Sequence, residues 1–313
     1  MAISAILEVL ISKLRPYLEL DINEVIFNEP YKFYLVRGSS YELLENKAFD
    51  EKFLMNFCEQ LATHRNLFFN HNFPHLACSI PFTRYRVNAL HPSVTANNSI
   101  SICIRVPSNF KFKINAFVLG QKCQEKGIDY AFILNLVRLG KNILVSGGTA
   151  SGKTSFVNSL IEEIPITQRV ITVEDSPELH LKNPNQVNVV VGKNEDSNFT
   201  YENALNSAMR MSPERVLLGE IDTRNTALFL RLSNTGHSGM ISTLHANSVV
   251  EAFNAIGMNV KMNAGKDIDT STLLDFFIAG MDFIIQIVKK GNERIIEDVL
   301  DVKKELRLAL NRE

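Results

Sequence analysis

The 313-residue chain has no tryptophan, four cysteines and no surplus of charge of either sign. It also lacks any apolar run near the ~20 residues that a membrane-spanning helix needs. The amino terminus shows no basic start, apolar middle and small-residue cleavage site in succession, so no signal peptide is read there and the chain is expected in the cytoplasm. Cys58, Cys78, Cys103 and Cys123 are widely spaced and form no Cys-x-x-Cys pair, which argues against a zinc site or a disulfide frame and for free thiols in a reducing compartment. With 33 basic and 34 acidic side chains the net charge is -1, so no overall basic field points to nucleic acid. Internal repeats and low-complexity tracts are missing too.

What is there is an ordinary globular composition, 45% hydrophobic and 21% charged, over a length that suits two domains, each with its own core. The densest chemistry lies between Asn142 and Ser155. Ile143 to Val145 reads as a buried strand. Gly147, Gly148, Thr149, Ala150, Ser151, Gly152, Lys153, Thr154 and Ser155 then fit a phosphate-binding loop opening a helix that runs to about Glu163. The glycines let the backbone turn its N–H groups inward on a polyphosphate, and the helix adds its positive dipole end. Lys153 is placed to neutralise β- and γ-phosphate charge, and the Thr154 hydroxyl to ligate Mg2+.

Ahead of this loop, Ile3 to Leu18 carries a helical apolar stripe that Pro16 is expected to break. Glu24–Asn28 and Lys32–Arg37 read as a hairpin, Asp50–Phe69 as a helix, and Thr83–Leu90 and Ser99–Val106 as antiparallel strands bearing Arg84, Arg86 and Arg105. Taken alone, these arginines are solvated strand residues. The half is α+β. Pro107-Ser108-Asn109 breaks the pattern and Phe110–Gly120 has no clean period. The expected division is therefore an N-terminal domain over 1–108, a linker over 109–120 and a second domain over 121–313.

The second domain alternates. Helices are expected at Phe132–Leu139, Tyr201–Met211, Thr226–Asn234 and Val249–Met262, and strands at Arg169–Val173, Val216–Leu218 and Met240–Leu244. Such alternation gives a largely parallel sheet with ligands at the carboxyl ends of its strands. Asp282–Val288 and Arg294–Val302 read as a hairpin capping the sheet edge. Two strands close on carboxylates, Glu174 and Glu220, which suits metal or water handling in phosphoryl transfer. His245 ends another strand, where it is placed to sense a γ-phosphate. His237 begins that strand and reads as part of a turn.

Together these boxes resemble the secretion-superfamily traffic ATPases, and among them the hexameric ATPase of bacterial type IV secretion systems. Val173 to Leu179 is similar to that family's aspartate box, Val216 to Glu220 to its Walker B strand, and Gly236 to Gly239 with Ser242 to Ser248 to its histidine box. Arg86-Val87-Asn88 and Ile102 to Ser108 resemble the segments that bring arginines to the bound phosphates.

The resemblance implies a RecA-like P-loop NTPase domain, of α/β class, behind a smaller α+β domain, with the nucleotide between the two. It implies ATP and Mg2+ as ligands, a homohexameric ring, other secretion-system components as partners and a place at the inner face of the inner membrane. Glu220 becomes the catalytic carboxylate, Glu174 a second acid and Arg86 and Arg105 phosphate clamps. The four-cysteine zinc insert of related pilus and type II enzymes is absent from this sequence.

Two departures stand out. Asp222 and Asn225 occupy positions where the family commonly has arginine and an acid, and Ser212-Pro213-Glu214-Arg215 replaces an arginine-proline-acid-arginine run. A slow nucleotide-gated assembly scaffold and a RecA-like nucleic-acid motor are the alternative readings. The missing tryptophan and the near-neutral charge weigh against the latter.

Overall fold

The computed structural model describes residues 3–38, 40–106, 112–191, 199–236, 238–264 and 269–310. The chain divides into two units, Met1–Phe110 and Lys111–Glu313.

The first unit begins with α1 (Ala5–Leu18), whose N-cap Ser4 accepts from the Leu7 N–H. Pro16 does not break it. The proline falls in the last turn, and burial of Leu14 and Leu18 on either side of it carries the helix through. β1 (Glu24–Glu29), β2 (Lys32–Arg37) and β3 (Ser40–Glu45) follow as an antiparallel meander. α2 (Glu51–His64) starts on Asp50, whose carboxylate takes the Phe53 N–H at 2.7 Å. It ends before the expected Phe69, because Asn66 turns with a φ of 55°. β4 (His75–Ser79), β5 (Arg86–Leu90) and β6 (Ser101–Arg105) complete a sheet of order β3-β2-β1-β6-β5-β4 among the described residues. α1, α2 and the inward residues of the strands close its core, in which Tyr17, Phe27, Phe33 and Phe49 meet edge to face or stacked.

The second unit contains β7 (Val118–Leu119), α3 (Gln121–Glu125), α4 (Tyr130–Arg138), β8 (Ile143–Gly147), α5 (Lys153–Ile161), β9 (Val170–Glu174) and β10 (Gln186–Val190). There follow α6 (Tyr201–Met209), β11 (Arg215–Leu218), α7 (Thr226–Ser233), β12 (Ile241–Leu244), α8 (Val249–Ala264), α9 (Thr270–Gly280), β13 (Phe283–Lys290), β14 (Glu293–Asp301) and α10 (Val302–Leu310). The sheet order is β10-β9-β11-β12-β8-β13-β14-β7, parallel from β10 through β13.

Strands β8, β9, β11 and β12 are buried at every residue, as helices on both faces require. Alternate residues feed two cores. Leu144, Ile171, Val173 and Leu244 enter one, and Ile143, Val145, Val170 and Ile241 the other.

Three expectations change here. The final hairpin does not cap the sheet edge: β13 pairs with β8 at the heart of the sheet, and the edge beyond β14 is β7. Strands β3, β4, β7 and β10 and helices α3, α9 and α10 were not anticipated. Much of the expected linker is built into the second unit, since Phe117 is fully buried against Phe156 and its carbonyl accepts from the Tyr130 hydroxyl at 2.7 Å. The predicted break at Pro107-Ser108-Asn109 lies outside the described residues.

Phe117→Ala tests that packing. Removing a fully enclosed ring costs about 3–5 kcal/mol, so urea unfolding of the second unit should shift by that amount while that of the first unit stays put.

Candidate active site

Strand β8 delivers the phosphate-binding loop and α5 takes it over. Gly147 touches the neighbouring strand so closely that a Cβ there would sit 2.4 Å from the Ile287 carbonyl oxygen and 2.6 Å from Ser151 Oγ. Side chains are thus excluded by β13 as well as by any ligand. Ala150 and Gly152 are left-handed, at φ 58° and 96°, and the turn between them presents the start of α5. A Cβ added at Gly148 would lie 3.7 Å from Asn247 Oδ1. Thr149 and Ala150 are exposed, and Thr154 and Ser155 half-buried. Ser151 Oγ is buried and has no hydrogen-bond partner among the described residues.

Lys153 is folded back into this loop. Its ammonium donates to the Gly147 and Gly148 carbonyls at 2.8 and 3.0 Å and meets His245 Nδ1 at 3.0 Å. An ammonium only donates, so Nδ1 accepts and the imidazole proton of a neutral His245 lies on Nε2. That nitrogen faces Glu220 Oε1 at 2.9 Å. Lys153, His245 and Glu220 therefore form one hydrogen-bonded chain, made possible by the parallel registers of β8, β12 and β11. Thr243 Oγ1 donates to the Gly219 carbonyl at 2.8 Å, and Asn225 Nδ2 to that of Glu220 at 2.9 Å, which fixes the turn carrying the carboxylate.

Glu174 sits one strand further out. Its side chain packs against Gly219, where an added Cβ would come within 3.0 Å of Glu174 Cγ. It is buried, and its Oε1 accepts from the N–H groups of Glu178 and Leu179 at 2.8 and 3.0 Å. Burial pushes the carboxyl up to about 7 in spite of those donors. The structure thus gives Glu174 a task the sequence did not show, holding the loop after β9.

The departures at Asp222 and Asn225 are linked. Asp222 pairs with Arg224, whose N–H and Nε donate to the carboxylate at 2.8 Å and whose guanidinium carbon lies 5.1 Å from the Tyr201 ring centre. Asn225, fully buried, accepts from the Asp222 N–H at 3.0 Å while donating to Glu220. Asp222 is therefore not a bare negative charge. In the second departure, Arg215 is buried between Gly140 and Gly239, with Nε on Gln168 Oε1 at 2.8 Å. His237 lies outside the described residues.

Arg86 and Arg105 belong to the first unit. They are direct cross-strand partners on β5 and β6, and Glu24 stands opposite Arg105 on its other side. Sequence reasoning missed Arg294 on β14. An added Cβ at Gly152 would lie 2.7 Å from its Cδ and Nε, and no spacing rule links it to the loop.

The loop has the features a nucleotide polyphosphate needs: left-handed turns, no side chain at 147, 148 and 152, a buried orphan hydroxyl and a lysine within the loop. Thr154, half-buried next to Lys153, carries a hydroxyl that could hold a divalent cation beside phosphate oxygens.

A family model described as Type II/IV secretion system protein matches residues 76–290. The type IV secretion system protein VirB11 of Bartonella henselae is 28% identical over 316 aligned positions, covering 90% of this chain and 88% of its own. Among solved structures, the VirB11 ATPase from the Brucella suis type IV secretion system, in complex with sulphate, aligns over 97% of this chain and 98% of its own at a TM-score of 0.52 and 26% identity. The Legionella pneumophila ATPase DotB aligns over 97% of this chain and 84% of its own at a TM-score of 0.67 and 17% identity, a likeness of fold.

Glu174 generates a pH prediction. Its folded pKa of about 7 lies above the ordinary 4.5, so the folded form keeps a proton that the unfolded chain has already released. Stability from this group is complete below pH 4.5 and is lost as pH rises through 7. Glu174→Gln keeps the acceptor oxygen without the charge. Denaturant midpoints should show it more stable than wild type by roughly 1–3 kcal/mol at pH 8, the gap closing toward pH 4.5.

Proposed function

The chain belongs to the type II/IV secretion system protein family, and we propose that it is the ring-forming ATPase of a bacterial type IV secretion system, hydrolysing ATP to drive assembly or transport. The observation that carries the reading is the Lys153–His245–Glu220 chain at the mouth of a phosphate-binding loop. VirB11 relatives spanning nearly the whole chain supply the biological setting. A homohexamer, contact with other secretion components and residence at the inner face of the inner membrane complete the proposal.

The geometry suggests how the residues act. Lys153 bonds to two loop carbonyls and His245, and His245 donates to Glu220. ATP competes for the ammonium, because phosphate oxygens make stronger charge-assisted bonds than carbonyls do. Once Lys153 turns to phosphate, His245 Nδ1 loses its donor and the imidazole is free to reorient toward the γ-phosphate. Glu220, no longer held by Nε2, can orient a water whose oxygen attacks the γ-phosphorus as the bond to the bridging oxygen breaks. The water proton passes to the carboxylate or the departing phosphate, leaving ADP and phosphate. Mg2+, when bound, neutralises charge on the β- and γ-phosphates. Arg86 and Arg105 are proposed phosphate ligands, for which two cross-strand guanidinium groups are a fitting donor set.

Phosphate release and ADP titration on purified variants check this order of events. Lys153→Ala should weaken ADP and ATP binding by about ten- to a hundredfold, the loss of a charge-assisted contact of roughly 1.5–3 kcal/mol, and stop turnover. Glu220→Gln should bind like wild type and hydrolyse at least tenfold more slowly, ~1.4 kcal/mol on the barrier. His245→Ala should also keep ADP affinity but lose turnover. Equal turnover in His245→Ala and wild type would remove the histidine from the mechanism. Replacing Arg86 and Arg105 together by Ala should raise the KM for ATP; an unchanged KM would return them to the role of solvated strand residues.

A further inference from the structure

Arg294 is a charged side chain with an unmet requirement. Its stem lies against Gly152, the residue that opens α5, and its guanidinium carbon is 5.0 Å from the Phe112 ring centre. Its Nε is buried and has no hydrogen-bond acceptor among the described residues. No described carboxylate forms an ion pair with it, and its direct partner across the hairpin is another cation, Lys289. At Gly152 it also meets a second positive feature, the N-terminal end of α5. Packing alone would be served by a methionine or leucine of similar length, without the cost of a desolvated donor. A guanidinium paired across the hairpin with Lys289, with a buried Nε that has no acceptor among the described residues and a stem against the start of α5, is suited to an anion.

We propose that Arg294 is a nucleotide-binding residue, a guanidinium carried to the phosphate loop by the final hairpin to hold the polyphosphate of ATP and ADP. The inference rests on the nucleotide site described above and adds a ligand from an element that the sequence motifs do not include. Phe112 keeps the guanidinium parked beside the loop until nucleotide arrives, since a ring face attracts a cation without satisfying its N–H groups. The fork geometry then permits two parallel bonds to phosphate oxygens, which a lysine cannot reproduce.

The test measures affinity for ADP and for inorganic tripolyphosphate in wild type, Arg294→Ala, Arg294→Gln, Arg294→Lys and Lys153→Ala, together with melting temperatures with and without ADP. Arg294→Ala and Arg294→Gln should each bind ADP about ten- to a hundredfold more weakly. Arg294→Lys should fall between them and wild type, tripolyphosphate should weaken in parallel, and the melting temperature without nucleotide should hold. Loss of ADP binding in Lys153→Ala with wild-type binding in Arg294→Gln overturns the inference and leaves the loop intact. Binding unchanged in both variants instead defeats the nucleotide-site reading. Weaker ADP binding with unchanged tripolyphosphate binding overturns the polyphosphate assignment. A fall in melting temperature of both the Ala and Gln variants, with the ADP-induced increment preserved, makes Arg294 structural and also overturns it.

Discussion

A buried ammonium group has to bond to something, and in this protein the choice of partner organises the site. Lys153 is drawn onto the carbonyls of its own loop and onto His245, so the loop is braced by its own side chain. The interaction depends on distant parts of the chain. β8 has to lie beside β12 for the lysine to reach the histidine, and β12 beside β11 for the histidine to reach Glu220. Those registers depend in turn on strands apolar enough to be covered on both faces. Hydrophobic patterning and site chemistry are thus the same constraint seen at two scales.

Glu220 and Glu174 show how location separates two acids of the same type. Each follows a parallel strand, yet Glu220 is partly exposed and tied to an imidazole, whereas Glu174 is buried and its oxygen is taken up by backbone N–H groups. One carboxylate is left partly open beside an imidazole and the other braces a loop while carrying a raised pKa.

Local sequence made much of this legible. The glycines and Lys153 sit at fixed spacings set by backbone geometry, and strands such as Val216–Leu218 announce themselves as apolar runs closing on an acid. What was not legible depends on contacts made across long sequence separations. β10 has an unremarkable pattern at the sheet margin, and β7 is two residues long. The hairpin of β13 and β14 was recognised but placed at the edge, because sequence order does not say where a late strand inserts. At Asp222 the sequence shows only an acid where the family commonly has arginine, since the Arg224 pair two residues on and the Asn225 amide bonds come from the conformation of the turn. Arg294 belongs to no motif and is brought to the loop only by the fold.

The insertion of β13 against β8 bears on how the protein is made. Asn142, at the start of the strand that carries the loop, donates its backbone N–H to Asp282, a partner 140 residues later in the chain. The Gly147 backbone is likewise pressed by the Ile287 carbonyl. During synthesis the phosphate loop is therefore complete as sequence long before it is complete as structure, because one flank of its strand stays open until the final hairpin has emerged. A nascent chain is thereby kept from assembling its nucleotide site early, and a truncated one is left with an open strand edge for quality control to recognise.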